Sequence, residues 1–156
     1  MLIAGEGVAV DLPEGWDGRM RRRDLPEARR RPGRRGLVTL HAADFPLPRE
    51  DGDYGTSATS LMRRANVFAT LIEFEPGNGL EPGRGLYRTR GVPAELDPRE
   101  FAAATMLRRL PGQAGAQRFF TAAGRPFCLY AVIGSSRRAE ALVPRVNELL
   151  GSVRID

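Results

Sequence analysis

The stretch "AQRFFTAAGRPFCLYAVIG", Ala116 to Gly134, decides the fold. It reads as two strands joined by a turn around Gly124. The second, Phe127 to Ile133, is apolar on both faces, which predicts a central strand covered above and below. Gly134 ends it, and Ser135 or Ser136 stands where a helix cap is wanted. Ala139, Leu142, Val143, Val146, Leu149 and Leu150 then recur at the i, i+3, i+4, i+7 spacing of an amphipathic helix. Pro144 falls on the opposite side from Leu142 and Val146, where it removes one donor and should kink the helix or limit its regular part. Gly151 can end the helix, and "SVRI", Ser152 to Ile155, gives a last short strand. Strand, strand, helix and strand predict an α/β fold of the α+β type. It is an antiparallel β-sheet of about five to seven strands flanked by one or two helices.

Upstream, the same patterns recur in shorter pieces. "GVAVDLPEGWDGRMRRR", Gly7 to Arg23, reads as a hairpin turning at Pro13 to Gly15. Val8, Val10 and Leu12 alternate on its first arm. On its second, Arg19, Arg21 and Arg23 share one face with Asp17, while Trp16, Gly18, Met20 and Arg22 share the other. Leu37 to Ala42 is a short strand, and Val67 to Glu75 a strong one with Phe68, Thr70, Ile72 and Phe74 on one side. Gly55 to Arg64 suggests a short helix and Leu86 to Arg90 another strand. Asp97 before Pro98 has the form of a helix start.

A length of 156 residues predicts one domain, 1–156, large enough to fold without disulfide or metal. Cys128 is the sole cysteine and His41 the sole histidine, so no ordinary zinc set is present. No apolar run reaches membrane-spanning length, and the opening "MLIAGEGVAVDLPEGW" lacks the form of a signal peptide; the expected location is the cytoplasm.

Motifs with chemistry are scarce. "GNGLEPG", Gly77 to Gly83, has the first spacing of a dinucleotide loop but continues with Pro82 and Gly83 where a helix must begin. "DGDYG", Asp51 to Gly55, lacks the glutamate that closes a calcium loop, since Met62 stands there. Cys128 lies in the most apolar strand, where a buried inert thiol is expected. His41 is read as exposed or locally bonded, not as its base. "GSSRR" lacks the glycines of a strained serine elbow. Glu73 and Glu75 share a strand face and are expected to meet arginines on neighbouring strands. No catalytic, cofactor-binding or metal-binding residue is expected.

One segment stands out electrically. All 24 basic residues are arginine, and nine of them lie between Arg19 and Arg35 against only Asp24 and Glu27. That segment carries +7, and the remainder of the chain −2. A polyanion could lie along Arg19, Arg21 and Arg23 and the loop bearing Arg29, Arg30, Arg31, Arg34 and Arg35. No aromatics are interleaved for base stacking, and a solvated charged face is the reading preferred.

"GVAVDLPEGW" and the ending "AGRPFCLYAVIGSSRRAEALVPRVNELLGSVRI" resemble the opening and close of PsbP-like domains. The resemblance covers the first and last thirds of the chain, and points to a small actinobacterial family. It implies an antiparallel sheet flanked by helices and used mainly as a binding module, and it carries over no catalytic residue. The function expected is therefore a non-enzymatic protein-interaction or assembly module whose partner is another protein. The alternatives are a polyanion (nucleic acid) binder using the Arg19–Arg35 segment, and a small-ligand binder or enzyme without a recognisable motif. A deep pocket with convergent polar groups would favour the last.

Overall fold

The computed structural model of the chain describes residues 1–77 and 79–156. It has two antiparallel sheets flanked by helices, as the C-terminal third predicts. β1 (Leu2–Gly5) and β2 (Val8–Asp11) form a hairpin closed by Glu6 and Gly7, at φ 52° and 76°. Two positive φ values in a two-residue loop match the twist of the strands they join. Gly7 also has no room for a side chain, because a Cβ there would lie 2.9 Å from Arg125 Nη1.

The hairpin expected at Pro13 to Gly15 does not form. β3 (Asp17–Asp24) pairs along its whole length with β4 (Gly36–Ala43), whereas β2 pairs with β1 and with β8 (Arg154–Ile155). The turn instead carries the chain from one layer to the other. Val8, Val10 and Leu12 face the core, so the small sheet β1-β2-β8 lies over the large one. Gly18 allows the close approach: a Cβ there would sit 2.6 Å from Leu12 Cδ1 and 2.7 Å from Ile3 Cδ1.

The large sheet has the order β3-β4-β5-β7-β6, with β5 at Val67–Glu73, β6 at Ala114–Ala122 and β7 at Arg125–Ile133. Every residue of β4, β5 and β7 is buried, and β7 is internal as its unbroken apolar run predicts. Ala123 and Gly124, both at positive φ, close the β6–β7 hairpin. One face, including Leu40, Leu71 and Leu129, packs on α2 (Ala139–Gly151) through Leu142, Val146 and Leu149. The other, including Phe68, Ile72 and Val132, is covered by α1 (Thr56–Leu61) and by Leu47 and Met106.

Local readings divide. Pro144 is accommodated on the exposed side of α2, whose α-helical part begins at Ala139 after a 3-10 turn, Ser136–Arg138. Ser135 supplies no side-chain cap. Asp97 does cap, accepting from Arg99 N at 2.8 Å while Glu100 accepts from Asp97 N at 2.6 Å. The result is only a 3-10 turn, Pro98–Glu100, because Ala102 is drawn into a bridge with Gly115 at the edge of β6. The strand expected at Leu86 to Arg90 is replaced by a 3-10 turn, Gly85–Tyr87. Tyr87 is pulled inward, its carbonyl accepting from Thr121 Oγ1 at 2.7 Å and its ring set edge-on to Phe119. Asn78 of the "GNGLEPG" loop lies outside the described residues; beside it Gly77 and Leu80 bridge, and no α-helix follows before Tyr87. No helix among the described residues is long and apolar enough to cross a membrane.

Candidate functional site

Glu73 closes β5 and is fully buried, an unusual position for a carboxylate. It is held from three directions. Arg125, at the start of β7 and itself buried, grips it with two parallel bonds, Nε to Oε1 at 3.0 Å and Nη2 to Oε2 at 2.8 Å. This fork-to-fork arrangement is the strongest form of the pair. Val38 N donates to Oε2 at 3.1 Å, replacing the sheet bond lost where β4 and β5 stop pairing beyond Thr39 and Ile72. Arg34 forms an ion pair with Oε1 from the loop between β3 and β4. Arg125 also reaches Asp156 O at 3.1 Å and stands 5.3 Å from the centroid of the Phe127 ring.

Above this cluster lies a cleft of about 350 Å³. Its walls are apolar at Leu25, Leu37, Pro76 and Pro126; Arg29, Arg31, Arg34 and Arg125 line it with Glu75. Arg29 pairs with Glu75. Four guanidinium groups thus face two carboxylates, counting Glu73 beneath, an excess of two positive charges. Glu6 fixes the far side of the loop, accepting from Arg35 N at 2.6 Å and Gly36 N at 3.1 Å. Burial works to raise the Glu6 carboxyl, but those two donors and Arg22 outweigh it and hold it below its ordinary value.

The eight arginines considered for a polyanion do not form one surface. The strand members turn to the chain's own carbonyls. Arg19 donates to Arg49 O at 2.8 Å and also to Pro48 O. Arg21 donates to Asp51 O and, at 3.4 Å, to Arg49 O. Arg23 donates to Glu73 O at 2.8 Å. They strap the loop after β4 and the end of β5 against the edge strand. Arg30 holds Leu25 O at 2.9 Å. Arg29, Arg31 and Arg34 converge on the cleft, and the Arg35 side chain remains exposed.

His41 and Cys128 share a sheet face with β5 between their strands and are offset by two residues along it, so roughly 12 Å separates them. His41 is buried and locally bonded, through Nε2 to Asp53 O at 2.9 Å, and burial lowers its pKa. Burial pushes the Cys128 thiol up to about 11. Neither arrangement makes a nucleophile and base. "DGDYG" is an anchor: Asp51 accepts from Ser57 N and Ala58 N at 3.0 and 2.8 Å, and Asp53 accepts from Thr39 Oγ1 at 2.9 Å. The sequence reading missed the cleft, although the pairing of Glu73 and Glu75 with arginines was its one visible sign.

The chain is similar to imidazole glycerol phosphate synthase subunit HisH of Aromatoleum aromaticum, 30% identical over 88 residues. The match takes in 53% of this chain and 41% of that protein, so the chain spans less than half of that relative's length. No protein-family model and no solved structure matches the chain.

Proposed function

We propose that this chain is a non-enzymatic interaction module, docking an acidic segment of a partner protein on the loop from Arg29 to Arg35. One observation carries the reading: Arg31 and Arg35 of this loop are exposed and have no side-chain partner among the described residues, while the row on β3 is bonded to the chain's own carbonyls. Surface guanidinium groups in excess over local carboxylates attract acidic surfaces and speed their encounter. The resemblance to PsbP-like domains, used mainly for binding, supports it. The nucleic-acid alternative is weakened, since the three strand members of its arginine set, Arg19, Arg21 and Arg23, are bonded to the chain's own carbonyls, and Arg29, Arg30 and Arg34 also have partners within the chain.

The test is anisotropy of a fluorescein-labelled Glu/Asp-rich peptide, with a duplex DNA beside it, across a salt series. The expected result is peptide binding that weakens with salt and is reduced in Arg30→Gln/Arg35→Gln, both outside the cleft lining. Submicromolar DNA binding at physiological salt, with a log–log slope of about −0.9 per phosphate, would transfer the function to nucleic acid. Absence of peptide binding at low salt would remove the docking reading. The cleft favours a second reading, a receptor for a small anion.

A further inference from the structure

Two arginines of the loop are set side by side by the backbone. Arg31 N donates to Arg34 O at 3.0 Å and Arg34 N to Arg31 O at 2.9 Å, with Pro32 and Gly33 (φ 75°) between them. Proline presets the first turn position and glycine takes the positive φ of the second. Residues that exchange both bonds stand about 5.5 Å apart at Cα with side chains on one face. Like charges opposed in this way repel, so an anion between them would stabilise the pairing.

The protein supplies only part of one. Glu73 Oε1 receives Arg34 but is already held by Arg125, and Arg34 Nε is buried without a hydrogen-bond partner. The Arg31 guanidinium has no hydrogen-bond or ion-pair partner among the described residues. Both side chains line the cleft of about 350 Å³, within the size range of small-molecule sites of roughly 300–1,000 Å³. The same cleft is lined by apolar side chains at Leu25, Leu37 and Pro126. A bare inorganic ion would leave those side chains uncovered.

We infer that the cleft binds one oxyanion, a carboxylate or phosphate monoester, joined to an apolar body. The oxyanion sits between Arg31 and Arg34, and the body lies against Leu25, Leu37 and Pro126. The inference rests on the second reading above and deepens it by naming the ligand class. The same chemistry could arrive as a free small molecule or as an acidic side chain on a partner, and the two are separable.

Calorimetric titration of the full chain with phenyl phosphate, benzoate and inorganic phosphate tests it. Phenyl phosphate and benzoate are expected to bind saturably and inorganic phosphate more weakly, because it lacks the body. Arg31→Gln is expected to weaken phenyl phosphate about tenfold without moving the melting temperature, since Arg31 holds nothing else. Arg31→Lys keeps the charge but not the fork, and should fall between; it serves as the variant should Arg31→Gln fail to fold. No saturable binding of either aromatic anion by about 10 mM overturns the inference, as does weakening of less than about threefold in a folded Arg31 variant. Phenyl phosphate bound without the acidic peptide supports a small-molecule site and removes the docking reading. Peptide bound without the aromatic anions leaves docking standing and overturns the cleft.

Discussion

Replacing Glu73 by glutamine changes one atom in a fully buried site, and the cost should be large. The carboxylate is 0% exposed and Arg125 only 3%, so the guanidinium cannot turn to water when its counter-charge is removed. The amide that replaces the carboxylate would also aim an N–H group at Arg125 or at Val38 N, both donors that now reach Glu73 at 2.8 to 3.1 Å. Breaking one side of a buried pair costs about 3–5 kcal/mol. In a domain of this size each kcal/mol moves the melting point by about 2–4 °C, so the expected fall is about 6–20 °C. Arg34 contributes little to that figure, because its side chain is 32% exposed and can be solvated. The informative companion is Glu73→Met/Arg125→Met, which removes both charges. It should be less damaging than Glu73→Gln alone, despite losing the Arg125 bond to Asp156 O. Urea unfolding followed by circular dichroism reads both. A Glu73→Gln chain within about 1 kcal/mol of the native would refute the reasoning, as would a double variant whose loss equals the sum of the singles.

Two further outcomes follow from buried titratable groups. Cys128, with its thiol pushed up to about 11, should react with a disulfide reagent at neutral pH only as fast as the chain opens, and promptly in urea; equal rates would place the thiol at the surface. His41 has a folded pKa below its ordinary 6.5, so the unfolded chain takes up that proton first. Its contribution is therefore full above pH 6.5 and is lost as pH falls from there toward the lower folded value. A urea midpoint that drops across that window in the native chain and stays level in His41→Gln is the expected pattern; a native midpoint flat from pH 7.5 to 5.5 contradicts it.

The strands β5, β6 and β7 and the helix α2 were legible because local pattern and tertiary role coincide there. An unbroken apolar run is internal in any sheet, and a helical stripe must face something apolar. The β2–β3 connection shows where that coincidence ends. A turn between two alternating segments looks the same whether the segments pair or pass to different layers. What decides is the bare backbone of Gly18, against which Leu12 and Ile3 close, and the availability of β4 as a better partner for β3. Leu86 to Arg90 failed for a related reason: Tyr87 gains more by entering the core than the segment gains by extending.

Charge is the least legible property, because an arginine's role depends on which oxygens the fold brings within its reach. The period-two spacing of Arg19, Arg21 and Arg23 correctly marks a strand face. It says nothing of the carbonyls of Pro48, Arg49 and Asp51, which arrive some thirty residues later in the chain and occupy the first two. The loop arginines carry the same formal charge but a different balance. Glu73 is divided between Arg34 and Arg125, and Arg29 has Glu75, so Arg31 is left without a partner among the described residues, beside a neighbour whose Nε is unsatisfied. A mere solvated loop would gain by spacing such charges apart. The Pro32–Gly33 turn instead holds Arg31 and Arg34 in a bonded pair, with both side chains toward the same cleft. That geometry concentrates positive charge that a third negative group would offset, which is why the cleft, and not the longer row of arginines on β3, is where function is sought.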